Sequence, residues 1–123
     1  MARVLGVGNC GFDHNSLETT LRPFAAELVG AHSATDALDA LRSGSYDLVL
    51  INRVFDRDGG SGLDLLKAIK LDDDLADTPV MLITNYPDVQ SEAEAAGALP
   101  GFGKADLRGE HTRELLADVL KAQ

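Results

Sequence analysis

Residues 46–52 read YDLVLIN, and residues 53–62 continue as RVFDRDGGSG. The first stretch is apolar on alternate and on adjacent positions, as expected of a strand buried on both faces in the middle of a parallel sheet. The second is polar and glycine-rich, as expected of the loop that leaves such a strand. In an open α/β sheet, ligands and reacting groups gather outside the carboxyl ends of the central strands. Asn52 occupies that position here. A carboxylate at this point can act as a nucleophile or hold a cation, whereas a neutral amide does neither under ordinary conditions.

Working outward from this strand, apolar runs alternate with helical patterns, which predicts a βα-repeat. Val4 to Val7 is a short strand ended by Gly8-Asn9-Cys10-Gly11. A helix is expected from about Ser16, with Leu17, Leu21, Phe24 and Leu28 on one face and Pro23 distorting it. Leu28 to His32 is a second strand, and Ser33 to Asp36 reads as a capping box for a helix through Arg42, closed by Gly44. Ser61 to Asp64 is another capping box, before a helix whose Leu63, Leu66 and Ile69 face inward. A polar connection, Asp72 to Asp77, leads through Pro79 to the strand VMLIT. A short helix from Asp88 to Ala96, an edge strand from Leu99 to Gly103 and an amphipathic helix from Glu110 to Ala122 complete the pattern. The expectation is a doubly wound α/β domain of five strands and five helices, occupying residues 1–123 as one unit.

Composition narrows the function. The formal net charge of −9 argues against nucleic acid, whose binding rests on cationic contacts to phosphate, and Lys and Arg form no patch. The opening MARVLGVGN has too short an apolar run for a signal sequence or a membrane span. Cys10 is the single cysteine, which excludes an internal disulfide and a cysteine-based zinc site. A cytoplasmic protein is the expectation. Cys10 itself reads as a small inert thiol.

With the elements in order, the chain resembles the receiver domains of bacterial two-component response regulators. YDLVLIN resembles the strand that ends in their phosphoacceptor, and Gly62-Leu63-Asp64-Leu65-Leu66 resembles the start of the next helix. TPVMLIT resembles the fourth strand, ending on the hydroxyl residue Thr84. Gly97-Ala98, with Lys104 six residues beyond Ala98, resembles the approach to the active-site lysine. The resemblance implies a flavodoxin-like sheet in the order 2-1-3-4-5, bringing Gly8, Asn9, Asn52, Thr84 and Lys104 to one pocket.

The departures from that pattern matter as much. The acidic pair after the first strand aligns with Gly8 and Asn9, and the acceptor aspartate aligns with Asn52. The loop after Asn52 carries Val54, Phe55, Asp56, Arg57 and Asp58 in place of the usual Met-Pro. The aromatic residue associated with activation aligns with Gly101. Magnesium needs hard oxygen ligands and receivers supply charge through carboxylates, so neither metal nor cofactor is expected here. Asp13, His14, Asp56 and Asp58 lack any recognised ligand spacing for a replacement metal.

The reading is a non-catalytic, phosphorylation-deficient pseudo-receiver that signals by binding a protein. The resemblance implies a partner face on the fourth helix, fifth strand and fifth helix, about Asp88 to Lys121. Lys104, deprived of its usual anionic neighbour, is expected to be held locally by Asp56 or Asp58, by Asn52 or Thr84, or by a trapped anion. That last option gives a second reading, a receiver-like sensor switched by a small anion at Lys104. A small flavodoxin-like enzyme is the weakest reading, because no nucleophile–base pair is evident among His14, His32 and His111.

Overall fold

The structure is a computed structural model and describes residues 2–120. Strands β1 (Arg3–Val7), β2 (Glu27–Ala31), β3 (Leu48–Asn52), β4 (Val80–Ile83) and β5 (Leu99–Phe102) form one sheet in the order β2-β1-β3-β4-β5. All the pairings are parallel, with Val4 opposite Leu28 and Leu48, and Asn52 opposite Ile83. The order reverses between β1 and β3, so the switch-point crevice opens above Gly8 and Asn52. Every residue of β3 is buried, as its apolar run requires for the central strand.

The helices are α1 (Gly11–Leu21), α2 (Ala34–Ser43), α3 (Gly62–Leu71), α4 (Pro87–Ala95) and α5 (Glu110–Leu120). Alternation along the strands divides the core in two. Leu5, Val7, Val49, Ile51 and Leu82 pack against Ala37 and Leu41 of α2, Leu66 and Ile69 of α3, and Ala93 of α4. Val4, Leu48, Leu50 and Met81 pack on the other face against Leu17 and Leu21 of α1 and Leu116 of α5. Burying each such leucine or isoleucine stabilises the fold by roughly 1.5–3 kcal/mol before entropy is counted.

The serine half of each expected capping box forms: Ser33 Oγ accepts from the Asp36 amide at 3.1 Å, and Ser61 Oγ accepts from the Asp64 amide at 3.2 Å. The polar connection after α3 is anchored by Lys70, whose Nζ donates to the carbonyls of Ala76 and Thr78 at 2.9 and 2.8 Å. Burial lowers the pKa of that ammonium, and the charge of Asp77 opposes the shift.

The first helix departs from expectation. It begins at Gly11 instead of Ser16, because Cys10 is its N-cap and its sulfur accepts from the Asp13 amide at 3.5 Å. Pro23 does not sit in this helix; it lies beyond Leu21 in a 3-10 turn, Arg22–Phe24, where its missing N–H is tolerated. The expected end of α5 at Ala122 and the partner-face limit at Lys121 lie outside the described residues.

Candidate functional site

At the carboxyl end of β3, Asn52 is 7% exposed and its amide nitrogen donates twice: to the Gly8 carbonyl at 3.2 Å and to the Val54 carbonyl at 2.9 Å. Each such bond contributes about 0.5–1.5 kcal/mol net. The loop after β3 makes the second acceptor available. It doubles back on itself through an antiparallel bridge between Val54 and Ser61, with the Phe55 amide donating to the Gly60 carbonyl at 2.9 Å. The Asp56 amide then donates to the Gly8 carbonyl at 2.9 Å, pinning the loop across the end of β1.

Phe55 is the residue that sequence reasoning passed over. It is 2% exposed, and its ring and backbone lie directly against Gly8. Gly8 has φ +81°, and a Cβ there would collide with the Phe55 ring. An acidic side chain at this position is therefore blocked twice, by backbone conformation and by the ring. The available signal was the absent Met-Pro together with an apolar aromatic inside an otherwise polar loop.

Asn52, Thr84 and Lys104 do line one cleft, of about 230 Å³, together with Arg53 and Tyr86. The Arg53 guanidinium stacks 5.2 Å from the centroid of the Tyr86 ring. Thr84 is buried and its Oγ1 accepts from the Tyr86 amide at 3.2 Å.

Lys104 Nζ meets Asp13 Oδ2 at 2.5 Å, with the two side chains 41% and 19% exposed. Of the protein groups expected to hold Lys104, namely Asp56, Asp58, Asn52 and Thr84, none is its partner. The reason is the early start of α1, which puts Asp13 in the first turn of that helix, within reach of β5's end. Asp56 and Asp58 are both exposed and line no part of the cleft; Asp58 Oδ1 accepts from the Gly60 amide at 2.8 Å and shapes the turn.

Gly8, beneath Phe55, does not line this cleft, and Asn9 stands apart from it too. It is also 7% exposed, but its Nδ2 lies over Gly6, and neither Nδ2 nor Oδ1 has a hydrogen-bond partner among the described residues. It lines a separate cleft on the β2 side, with His14 and His32. An unsatisfied buried amide costs about 1–3 kcal/mol.

The magnesium ion that phosphate-accepting receivers use does not fit these residues. The donor set has no carboxylate on β1 or β3, the Asn52 nitrogen points N–H groups at carbonyls, and the Phe55 ring covers Gly8. Among the described residues, no group of three or more His, Cys, Asp or Glu is placed to hold a metal ion.

Farther along the sheet, Gly101 is explained by Gln90 of α4. Gln90 Nε2 donates to the Leu82 carbonyl at 2.8 Å and its Oε1 accepts from the Gly101 amide at 3.2 Å. A Cβ at Gly101 would collide with the Leu82 carbonyl oxygen, so no aromatic side chain can occupy this position. Gln90 ties α4 to β4 and β5 where a rotating ring was the family expectation.

No family profile matches the chain. It is 31% identical over 91 residues to a chemotaxis protein, CheY, of Pseudomonas aeruginosa, a stretch covering 74% of this chain and 66% of that protein. The fold is similar to the signal receiver domain of a DNA-binding response regulator from Colwellia psychrerythraea, with TM-score 0.81 and 22% identity over 98% of this chain and 99% of that one. It is also similar to the chemotaxis response regulator CheY4 of Vibrio cholerae, with TM-score 0.72 and 21% identity over 99% and 98% of the two chains. In sequence over part of its length, and in fold over nearly all of it, the chain is similar to CheY-like response-regulator proteins.

Proposed function

We propose that this receiver does not accept phosphate and that it signals by binding another protein. The observation that carries the reading is the double hydrogen bond from Asn52 to the Gly8 and Val54 carbonyls, in the place of the phosphoacceptor. An amide committed in this way offers no nucleophilic oxygen, and phosphoryl transfer also needs the charge clamp that a carboxylate-bound metal supplies. The Lys104–Asp13 pair points the same way, since the cation that would meet a phosphoryl group is already neutralised.

Signalling without phosphate needs a surface that is preformed. The face made by α4, β5 and α5 meets that need, because Gln90 locks α4 onto β4 and β5. Leu99 stands exposed on its edge strand within this face. The reading is non-enzymatic and places the chain in a two-component pathway or phosphorelay as a binding module. Among the described residues no helix is long and apolar enough to cross a membrane.

The small-anion reading keeps one observation in its favour: Arg53 and Lys104 line the same cleft. Their engagement with Tyr86 and Asp13 makes it the second choice. The test is capture of the partner by the immobilised chain, with and without acetyl phosphate and magnesium, and with inorganic phosphate as a third arm. The proposal expects equal capture in all arms, and loss of capture for Leu99→Glu. Capture that depends on the phosphodonor overturns it; capture that depends on inorganic phosphate alone selects the anion sensor.

A further inference from the structure

We propose that the band running from the Arg53–Tyr86 stack across Lys104 to Arg113 docks an acidic segment of a partner protein, apart from the face of α4, β5 and α5. Lys and Arg are scattered along the sequence, but the fold gathers four of them here. Three clefts adjoin one another. The cleft at Asn52 shares Lys104 with a second, which lies beside Phe12 and Asp13. The second shares Thr20, Leu107 and Arg108 with a third, which ends at Pro23 and Arg113. Arg53, Lys104, Arg108 and Arg113 line this band, and among the described residues Asp13 is the one carboxylate that does. The chain as a whole has a formal net charge of −9, so the band is opposite in sign to the molecule that carries it.

The apolar residues of the band supply a second, independent observation. Phe12 is 79% exposed, and with Val54 and Tyr86 it makes three of the five exposed large hydrophobic side chains among the described residues. Aromatic side chains together with arginines are what sets the centre of a protein interface apart from ordinary surface. The floor is tied down. Thr20 Oγ1 donates to the Leu107 carbonyl at 3.2 Å, joining α1 to the segment before α5, and Thr112 Oγ1 donates to the Asp106 carbonyl at 2.7 Å. A surface held in this way loses less freedom on binding. Arg108 and Arg113 have no ion-pair partner among the described residues. A guanidinium takes a carboxylate through two parallel hydrogen bonds, which makes Asp and Glu side chains the fitting partners. The cations are spread over three clefts, which suits a segment carrying several carboxylates better than a single small anion. The acidic remainder of the surface repels such a segment and steers it to the band.

The test titrates the full chain, labelled with nitrogen-15, with a synthetic peptide of Glu and Asp that contains one Phe. Its Gln and Asn counterpart and a single-stranded oligonucleotide of equal charge are the other arms. The expected result is saturable shifts of the Phe12, Thr20 and Arg108 amides with the acidic peptide, and an affinity that falls with salt. The neutral peptide should bind about tenfold or more weakly. Arg108→Glu combined with Arg113→Glu should weaken binding of the acidic peptide by about tenfold or more, and Phe12→Ser severalfold. All three side chains are exposed, so the fold should persist. Leu99→Glu should leave this binding unchanged, which separates the band from the face of α4, β5 and α5. Absence of saturable shifts, equal binding of the neutral peptide or undiminished binding by the charge-reversed variant overturns the proposal. Equal or tighter binding of the oligonucleotide overturns it too, as does a loss of binding on Leu99→Glu.

Discussion

Asn52 and Asn9 are the same residue type, equally buried at 7% exposure, at the ends of neighbouring strands, yet they stand in opposite states. Asn52 donates to two carbonyls and is held beneath a folded loop. Among the described residues Asn9 has no partner for either polar atom; both atoms are closed to solvent, beside a separate cleft. The difference lies in the segment of chain that leaves each residue. After Asn52 the loop doubles back and returns the Val54 carbonyl and the Phe55 ring to the sheet. After Asn9 the chain enters α1 at once, at Gly11, and the side chain is turned over Gly6. Position in a family pattern thus marks one asparagine, while its unsatisfied chemistry marks the other.

Four substitutions test this contrast, from the largest expected effect to the smallest. Phe55→Ala removes the ring that covers Gly8 and should destabilise the fold by about 3–5 kcal/mol in denaturant unfolding, as for other buried aromatics. A loss under 1 kcal/mol would show that the ring does not close the site. Asn52→Asp sets carboxylate oxygens against the Gly8 and Val54 carbonyls, and a loss of roughly 2–3 kcal/mol is expected. That variant should also remain unlabelled by a phosphodonor, since Gly8 cannot accept an acidic side chain beside Phe55. Efficient labelling of Asn52→Asp would break the account of the metal.

Asn9→Leu should do the reverse of the Asn52 change. Removing an unsatisfied amide is expected to leave stability within about 0.5 kcal/mol or to raise it by up to about 1 kcal/mol. A thermal midpoint that falls by as much as in Asn52→Asp would erase the distinction between the two residues. Lys104→Met breaks an ion pair whose lysine side chain is 41% exposed, so the loss should stay under about 1 kcal/mol and shrink further in high salt. A larger, salt-independent loss would mean that the pair is closed off from water.

Much of the architecture was legible in the chain. The two-sided apolar run of β3 and the serine N-caps at Ser33 and Ser61 have local causes, and the observed elements agree with them. The start of α1 was missed because the cap is a cysteine, a weak acceptor that no capping rule favours. That error hid Asp13, and with it the partner of Lys104. Asn52 was legible because a strand end is a defined place. The roles of Phe55 and Gln90 were not, since each depends on a contact between distant segments: a ring with Gly8, and an amide with Leu82 and Gly101. The division of Asn9 from Asn52 into separate clefts was equally invisible, because alternation fixes a strand's faces but not the turn beyond its last residue.

The central claim is that the acceptor end of this receiver-like fold is chemically closed. Intact-mass spectrometry of the wild-type chain after incubation with acetyl phosphate and magnesium tests it most directly. The account predicts an unchanged mass, with Asn52 still bonded to Gly8 and Val54. A stoichiometric, acid-stable and base-labile phosphate adduct would contradict it.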